Sequence, residues 1–430
     1  MTESAAPISV GQVRLVEEHE IEEALSAMAA CPRVVASGNL ATPSQLLATC
    51  DRSLERYRLF MLAAQAPLPA RPGVIFETAF VGPGMRDAGD RLDYLPMRLA
   101  LVPRVFRTLR PPDVVLLHTS PPAGGKLSLG IEVNILPAAI ERVRERGGLV
   151  LAQVNRQMPY TLGDSEIPVD LVDMAIEVDE PLCTPPPHAP GHEHAERIAE
   201  LVAQLVPERA TLQLGIGQVP DATLRALAGR TGMAIWSEMI SDGVLALELD
   251  GALDREQQIT CSFMFGSRDL YEWVHRNPRV RMTRTETTND SSRIAARPNM
   301  VSINTALQVD LHDQAGASHV GTRVYSGLGG QPDFVEGALR SHGGHAIIAL
   351  RSWHEASDSS TIVPRLETPV TSFQHSAVVT EQGCASLFGR SHRAQARLLI
   401  EHAVHPNARD ELREHAARIA GGAPPLPVIR

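Results

Sequence analysis

Glu238 ends an apolar run, Trp236-Ser237-Glu238-Met239-Ile240, and a turn-forming Ser241-Asp242-Gly243 follows it. A carboxylate at the carboxyl end of a strand stands where α/β sheets hold ligands. On this segment alone, a surface Glu paired with an arginine would read the same way. Upstream, Leu212-Gln213-Leu214-Gly215-Ile216-Gly217-Gln218-Val219-Pro220-Asp221 carries a strand into G-x-G and then into a helical stretch. Glycines there let backbone N–H groups approach a ligand, and the helix start favours an anion. Downstream, Tyr325-Ser326-Gly327-Leu328-Gly329-Gly330-Gln331-Pro332-Asp333-Phe334 places three glycines before a proline suited to a first helical turn. Such a loop can converge N–H donors on one point, as an oxyanion site requires, and a plain turn is the alternative.

A dinucleotide site is the rival for the first glycine loop, because Glu238 also stands near the distance expected of a ribose-binding carboxylate. Pro220 occupies the neighbourhood where a third glycine would be needed. Other nucleophile signatures are missing: there is no G-x-S-x-G and no H-E-x-x-H, and Lys126 in Ala123-Gly124-Gly125-Lys126-Leu127 is followed by Leu, unlike a P-loop.

The elements that must hold these residues alternate. Apolar runs of strand length lie at 33–37, 59–64, 74–81, 113–119, 148–154 and 172–178, with helical patterns such as 137–145 between them. Unbroken runs such as Val114-Val115-Leu116-Leu117 suit strands covered on both faces. The alternation resumes at 211–214, 234–236, 259–264, 280–283, 300–303, 346–350 and 377–380. Strands alternating with helices predict mostly parallel sheets in α/β domains. The Pro-rich segment 181–191 separates the halves, because proline removes donors and fixes φ. The reading is therefore an N-terminal domain over 1–183, a linker over 184–196 and a C-terminal domain over 197–430.

Composition bounds the function. The 430 residues carry a net charge of -10 and only 4% aromatics, which excludes a broad basic field or a stacking platform for nucleic acid. An anionic ligand must be held locally, by a few arginines or by backbone N–H groups. Lys126 is the one lysine, so Schiff-base chemistry would have to use it. Cys31, Cys50, Cys183, Cys261 and Cys384 are scattered, with no C-x-x-C pair to suggest zinc or a disulfide framework. His188, His192, Glu193 and His194 invite a metal reading, but their spacing begins in a proline-rich loop, and a solvated linker accounts for them; no metal is expected. With no long apolar stretch and no basic-then-apolar leader, the expectation is a cytoplasmic protein without membrane contact.

Further segments complete an ordered set: His118-Thr119-Ser120-Pro121-Pro122, Ser128-Leu129-Gly130, Val154-Asn155-Arg156-Gln157-Met158-Pro159, Met300-Val301-Ser302-Ile303-Asn304, Gln308-Val309-Asp310-Leu311, Val378-Val379-Thr380-Glu381-Gln382-Gly383 and His405-Pro406. Together with the glycine loops and Glu238, they resemble the acetyl-CoA hydrolase/transferase family, in its branch of 4-hydroxybutyrate and acetate CoA-transferases. The likeness covers nearly the whole chain. It implies two similar α/β domains with the active site in the cleft between them. It further implies that Glu238 is the catalytic nucleophile, that Gly215, Ile216, Gly217, Gln218 and Val219 contact CoA, and that Gly327, Gly329 and Gly330 help hold CoA and form the oxyanion site. Asn304 is a candidate to touch the acid, with a strand-end bonding role as the alternative.

The expected reaction moves CoA between an acyl-CoA and a small carboxylic acid through a glutamyl-CoA thioester. Coenzyme A is then a substrate and no resident cofactor is needed; a homodimer would suit the reading. A hydrolase using the same intermediate, or a CoA-binding protein without turnover, are the alternatives. Two departures bear on substrate more than on mechanism. Segment 371–377 lacks the Arg and Tyr that relatives usually carry before the V-V-T-E run, and Thr361 stands where an Arg is common.

Overall fold

Val114–Thr119 is buried along its whole length and Leu149–Asn155 nearly so, as apolar runs are when both faces of a parallel sheet are covered. The computed structural model describes residues 13–65, 67–185, 193–215, 217–368, 370 and 374–420. The described chain divides into two units, the first within 1–95, 101–185 and 262–285, the second within 96–100, 186–261 and 286–430.

The first unit holds a sheet of seven strands: β1 (Arg33–Ala36), β2 (Tyr57–Phe60), β3 (Val74–Thr78), β4 (Leu92–Tyr94), β5 (Val114–Thr119), β6 (Leu149–Asn155) and β7 (Met174–Val178). Their order is β4-β3-β2-β1-β5-β6-β7, and every pairing is parallel. The chain lays β2 to β4 on one side of β1 and then returns to build β5 to β7 on the other. The order therefore reverses between β1 and β5, which opens a crevice at their carboxyl ends. Helix α1 (Leu136–Arg146) has Pro137 in its first turn and stops at Gly147, close to its predicted span. A short antiparallel pair, Lys126–Ser128 with Glu166–Pro168, lies outside the main sheet. Lys126 on it is half exposed, with Nζ 3.8 Å from Glu166 Oε1.

The second unit repeats the plan with β8 (Thr211–Leu214), β9 (Ala234–Ile235), β10 (Met300–Asn304), β11 (His345–Ala349), β12 (Ala377–Thr380) and β13 (Gly383–Ser386). The order is β9-β8-β10-β11-β12-β13, parallel except for the hairpin of β12 and β13. Here the reversal falls between β8 and β10. Helix α2 (Glu193–Leu205) buries Ala195, Ile198, Ala199, Val202 and Ala203, one stripe at helical spacing. Helix α3 (Gln218–Ala226) follows β8, and helix α4 (Gln331–Arg340) precedes β11. Phe334, Val335 and Ala338 anchor α4 against Trp236, Ile294, Met300 and Ala346. Truncating a buried Phe of this kind typically costs about 3–5 kcal/mol, so the start of α4 is firmly placed.

Both units are α/β with mostly parallel sheets, as expected. Several strand bounds shift, two of them as follows. The run at 59–64 becomes Tyr57–Phe60, because Ala63 takes a left-handed φ of 45° and turns the chain. The run at 259–264 splits into Ile259–Cys261 and Phe263–Met264 at Ser262, whose hydroxyl donates to the Thr283 carbonyl at 2.5 Å. Among the described residues no helix is long and apolar enough to cross a membrane.

Candidate active site

β8 delivers the first glycine loop to the reversal point of the second sheet. Its four residues are buried, Gly215 is half-buried, and α3 begins at Gln218. Gly217 caps α3 with φ 124° and ψ 179°, a conformation closed to residues with a side chain. Gln218 is half-buried in the first turn. The Val219 side chain packs against Ala195, Ala199 and Ala222, so its part in any ligand contact falls to its backbone. Ile216 lies outside the described residues.

Asn304 ends β10, beside β8. Its amide nitrogen donates to Gln213 Oε1 at 3.1 Å and Ser302 Oγ at 2.8 Å, and its oxygen accepts from Gln213 Nε2 at 3.2 Å. The side chain is thus tied to its own sheet, two residues of β8 away from Gly215.

Glu238 follows β9 closely. Trp236 N–H donates to the Leu212 carbonyl and Ser237 N–H to that of Thr260, and the Ser237 hydroxyl reaches the Leu214 carbonyl at 3.3 Å. These bonds set the half-buried Glu238 just beyond the end of the sheet. Asn289 Nδ2 donates to its Oε2 at 2.8 Å. Thr288 Oγ1 in turn donates to Asn289 Oδ1 at 3.0 Å, and the Trp236 indole N–H donates to the Thr288 carbonyl at 3.0 Å. The guanidinium of Arg297 lies 4.2 Å from the centre of the Trp236 ring.

The second glycine loop comes to the same place. Gly327, Gly329 and Gly330 are buried, and Gly330 caps α4. A Cβ on Gly330 would stand 1.8 Å from Glu238 Oε2 and 2.3 Å from Asn289 Nδ2, so only bare backbone fits against the carboxylate. The positive end of a helix therefore meets Glu238. The Gly329 carbonyl accepts from Leu99 N–H at 3.0 Å, and that of Gly330 accepts from Asp333 and Phe334. Burial pushes the Asp333 carboxyl up to about 7, against the opposing influence of Arg98, the Ala100 N–H and the Asn289 amide. Arg98 stands 3.7 Å from Asp333 and 2.7 Å from Glu336.

Glu238 and Gly330 are thus brought together, with Gly329 next to Gly330 in the chain. Asn289, Thr288 and Asp333 were not singled out by sequence. The only signal for Asn289 was its place before Asp290, which caps the helix Ser291–Ala295 by accepting from Ser292 and Arg293 N–H.

The first unit has its own polar cluster at its reversal point. Glu132 is buried and accepts from Gly38 N–H at 3.2 Å and from Asn39 Nδ2 at 2.6 Å. Burial raises it to about 7 although these donors and Asn134 oppose the shift. His118 is buried, contacts Asn155 at 3.1 Å, and is lowered to about 4 by burial.

Of the departures noted in sequence, 371–373 lie outside the described residues. His375 is fully buried and pairs with Asp313, Nδ1 to Oδ1 at 2.6 Å, its own N–H donating to Oδ2 at 2.9 Å. Thr361 is buried and donates to the Arg351 carbonyl at 2.5 Å. Of the candidate metal ligands, His188 and His192 lie outside the described residues.

Comparison with known proteins identifies the family. Residues 266–416 match the acetyl-CoA hydrolase/transferase C-terminal domain. A 4-hydroxybutyrate coenzyme A transferase of Clostridium kluyveri is 40% identical over 347 residues, 77% of this chain and 80% of that protein. The solved 4-hydroxybutyrate CoA-transferase of Porphyromonas gingivalis superposes with a TM-score of 0.79 at 31% identity, covering 94% of this chain and 98% of that one. More distantly, an acetyl-CoA hydrolase of Candida albicans is 27% identical over 310 residues, 67% of this chain and 59% of that protein. The chain belongs to the acetyl-CoA hydrolase/transferase family, among its CoA-transferases.

Proposed function

We propose that this protein moves coenzyme A between an acyl-CoA and a small carboxylic acid, with Glu238 as the covalent nucleophile. The observation that carries the reading is the contact of the Glu238 carboxylate with the bare backbone of Gly330 at the start of α4, with Asn289 on the same oxygen.

In the first step a Glu238 oxygen attacks the thioester carbonyl. The C–S bond breaks and CoA leaves as a thiolate, giving a mixed anhydride. The thiolate then attacks the glutamyl carbonyl, the anhydride C–O bond breaks, and the first acid departs as its carboxylate. The enzyme now holds a glutamyl-CoA thioester. An incoming carboxylate attacks that thioester and releases the thiolate, which takes the new acyl group and restores the Glu238 carboxylate. Each addition develops an oxyanion, for which N–H donors of the loop 327–330 are the candidates; one such donor is typically worth about 3 kcal/mol. The loop 215–219 is the candidate to hold CoA. Soluble acyl-CoA and free acids as substrates fit a cytoplasmic setting.

Hydrolysis differs only in that water, in place of an acid, takes the glutamyl thioester. The test is intact mass after mixing with acetyl-, propionyl- or butyryl-CoA, with Glu238→Gln as control. A CoA-sized increment on the wild type alone supports the reading, and its discharge by added acids and not by water alone makes the protein a transferase. Turnover that survives Glu238→Gln removes Glu238 from the chemistry.

A further inference from the structure

An asparagine amide has nearly the same shape either way round, yet its two ends have opposite hydrogen-bonding character. Asn289 must present its NH2 end to Glu238, because its oxygen would place lone pair against lone pair. The Asp333 carboxyl draws on the same NH2 end, and Thr288 fixes the opposite end. Its hydroxyl donates to Asn289 Oδ1 at 3.0 Å and holds the oxygen end away from the carboxylate. Thr288 is itself clamped, because its carbonyl accepts the indole N–H of Trp236 at 3.0 Å. Trp236 lies two residues before Glu238 and is backed by Arg297. Backbone and side chains thus close a ring, Trp236 to Thr288 to Asn289 to Glu238. Thr288 is fully buried and Asn289 almost so, leaving little room for the amide to be reoriented by solvent.

We infer that Thr288 is a positioning residue: its hydroxyl sets the orientation of the Asn289 amide and thereby fixes the Glu238 carboxylate for attack. This rests on the reading of Glu238 as nucleophile. In this scheme Thr288 acts on the carboxylate through Asn289.

The test compares Thr288→Val, which keeps the shape and removes the donor, with Thr288→Ser, which keeps the donor, each alone and with Asn289→Ala. Thr288→Val should lower kcat by about tenfold to a hundredfold, the range expected of a small misplacement, with KM for acyl-CoA within about twofold. Thr288→Ser should restore most of kcat. In the Asn289→Ala background Thr288→Val should cost less than about twofold more, because the amide it orients is gone. Unchanged kcat in Thr288→Val, failure of Thr288→Ser to recover activity, or a full additional loss on top of Asn289→Ala would each overturn the inference. Glu238→Gln assayed in parallel separates the two claims. If it loses turnover while Thr288→Val keeps it, only the role of Thr288 falls. If Glu238→Gln keeps turnover, the nucleophile and this inference fall together.

Discussion

Asn289 Nδ2 and Glu238 Oε2 lie 2.8 Å apart, although 51 positions separate them in the chain. The neutral amide gives the carboxylate a donor without a charge to neutralise it. Asn289→Ala should therefore lower kcat by about a hundredfold, a loss typical of one removed donor in a catalytic site. Asn289→Asp should do something different. Two carboxylates at that distance hold a proton between them, so the acidic limb of the kcat/KM profile should move to higher pH. A limb that stays in place would mean that the Asn289 position does not face the reacting group.

Gly330 offers a steric test. Its φ of -89° suits any residue, so Gly330→Ala carries no backbone strain. The added Cβ nevertheless meets Glu238 Oε2 at 1.8 Å and must displace it. Formation of the CoA adduct should fall by at least about a hundredfold while the melting temperature changes little. Normal adduct formation in Gly330→Ala would show that the carboxylate works from another position.

Two buried carboxyls should make stability depend on pH. Glu132 and Asp333 are both raised to about 7, mainly by burial. Between their unfolded values near 4 and about 7, the folded protein binds the protons that the unfolded chain releases. Stability from these groups is therefore fully present at the acidic end of that window and is lost as pH rises through 7. The donors around Glu132 (Gly38, Asn39 and Asn134) and the Arg98 beside Asp333 already oppose the shifts and do not cancel them. Glu132→Gln and Asp333→Asn should each flatten the fall in melting temperature between pH 5 and pH 8, by about a few degrees. An unchanged slope in both variants would contradict the assignment.

The cysteines should differ in reactivity. Cys183 is exposed, whereas Cys50 and Cys261 are buried. Burial pushes the Cys50 thiol up to about 12 and raises that of Cys261 as well. Thiolate is the reactive form, so a maleimide should label Cys183 first and spare Cys50 and Cys261 until the protein unfolds. Peptide mapping after brief labelling checks the order.

Strands were legible where both faces are covered, because Val114–Thr119 then opens on the unbroken apolar run Val114 to Leu117, and Met300–Asn304 is apolar but for Ser302 and its last residue. Two of the edge strands were not. Leu92–Tyr94 has a charged centre and no fully buried residue, and Gly383–Ser386 is an antiparallel turn-back with a glycine at its head. Glu238 and the glycine loops stood out because each adjoins an apolar strand or helix start. Asn289 and Thr288 did not, because Thr285-Glu286-Thr287-Thr288-Asn289-Asp290-Ser291-Ser292 is a run of residues that favour caps and turns, and Asp290 does serve as a cap. What distinguishes Asn289 is a tertiary contact, which no local pattern records. Asn304 shows the converse: an isolated strand-end amide looked available for a ligand, but a neighbouring strand supplies Gln213 to engage it.

Lys126 has a consequence of its own. Acyl thioesters are mild acylating agents, and free amines are among the groups they acylate without an enzyme. In this chain one ε-amine stands half exposed on the strand pair Lys126–Ser128 and Glu166–Pro168, and the remaining cationic side chains are guanidiniums, which stay protonated. Among the side chains, spurious acylation of an amine by an acyl-CoA therefore has a single address.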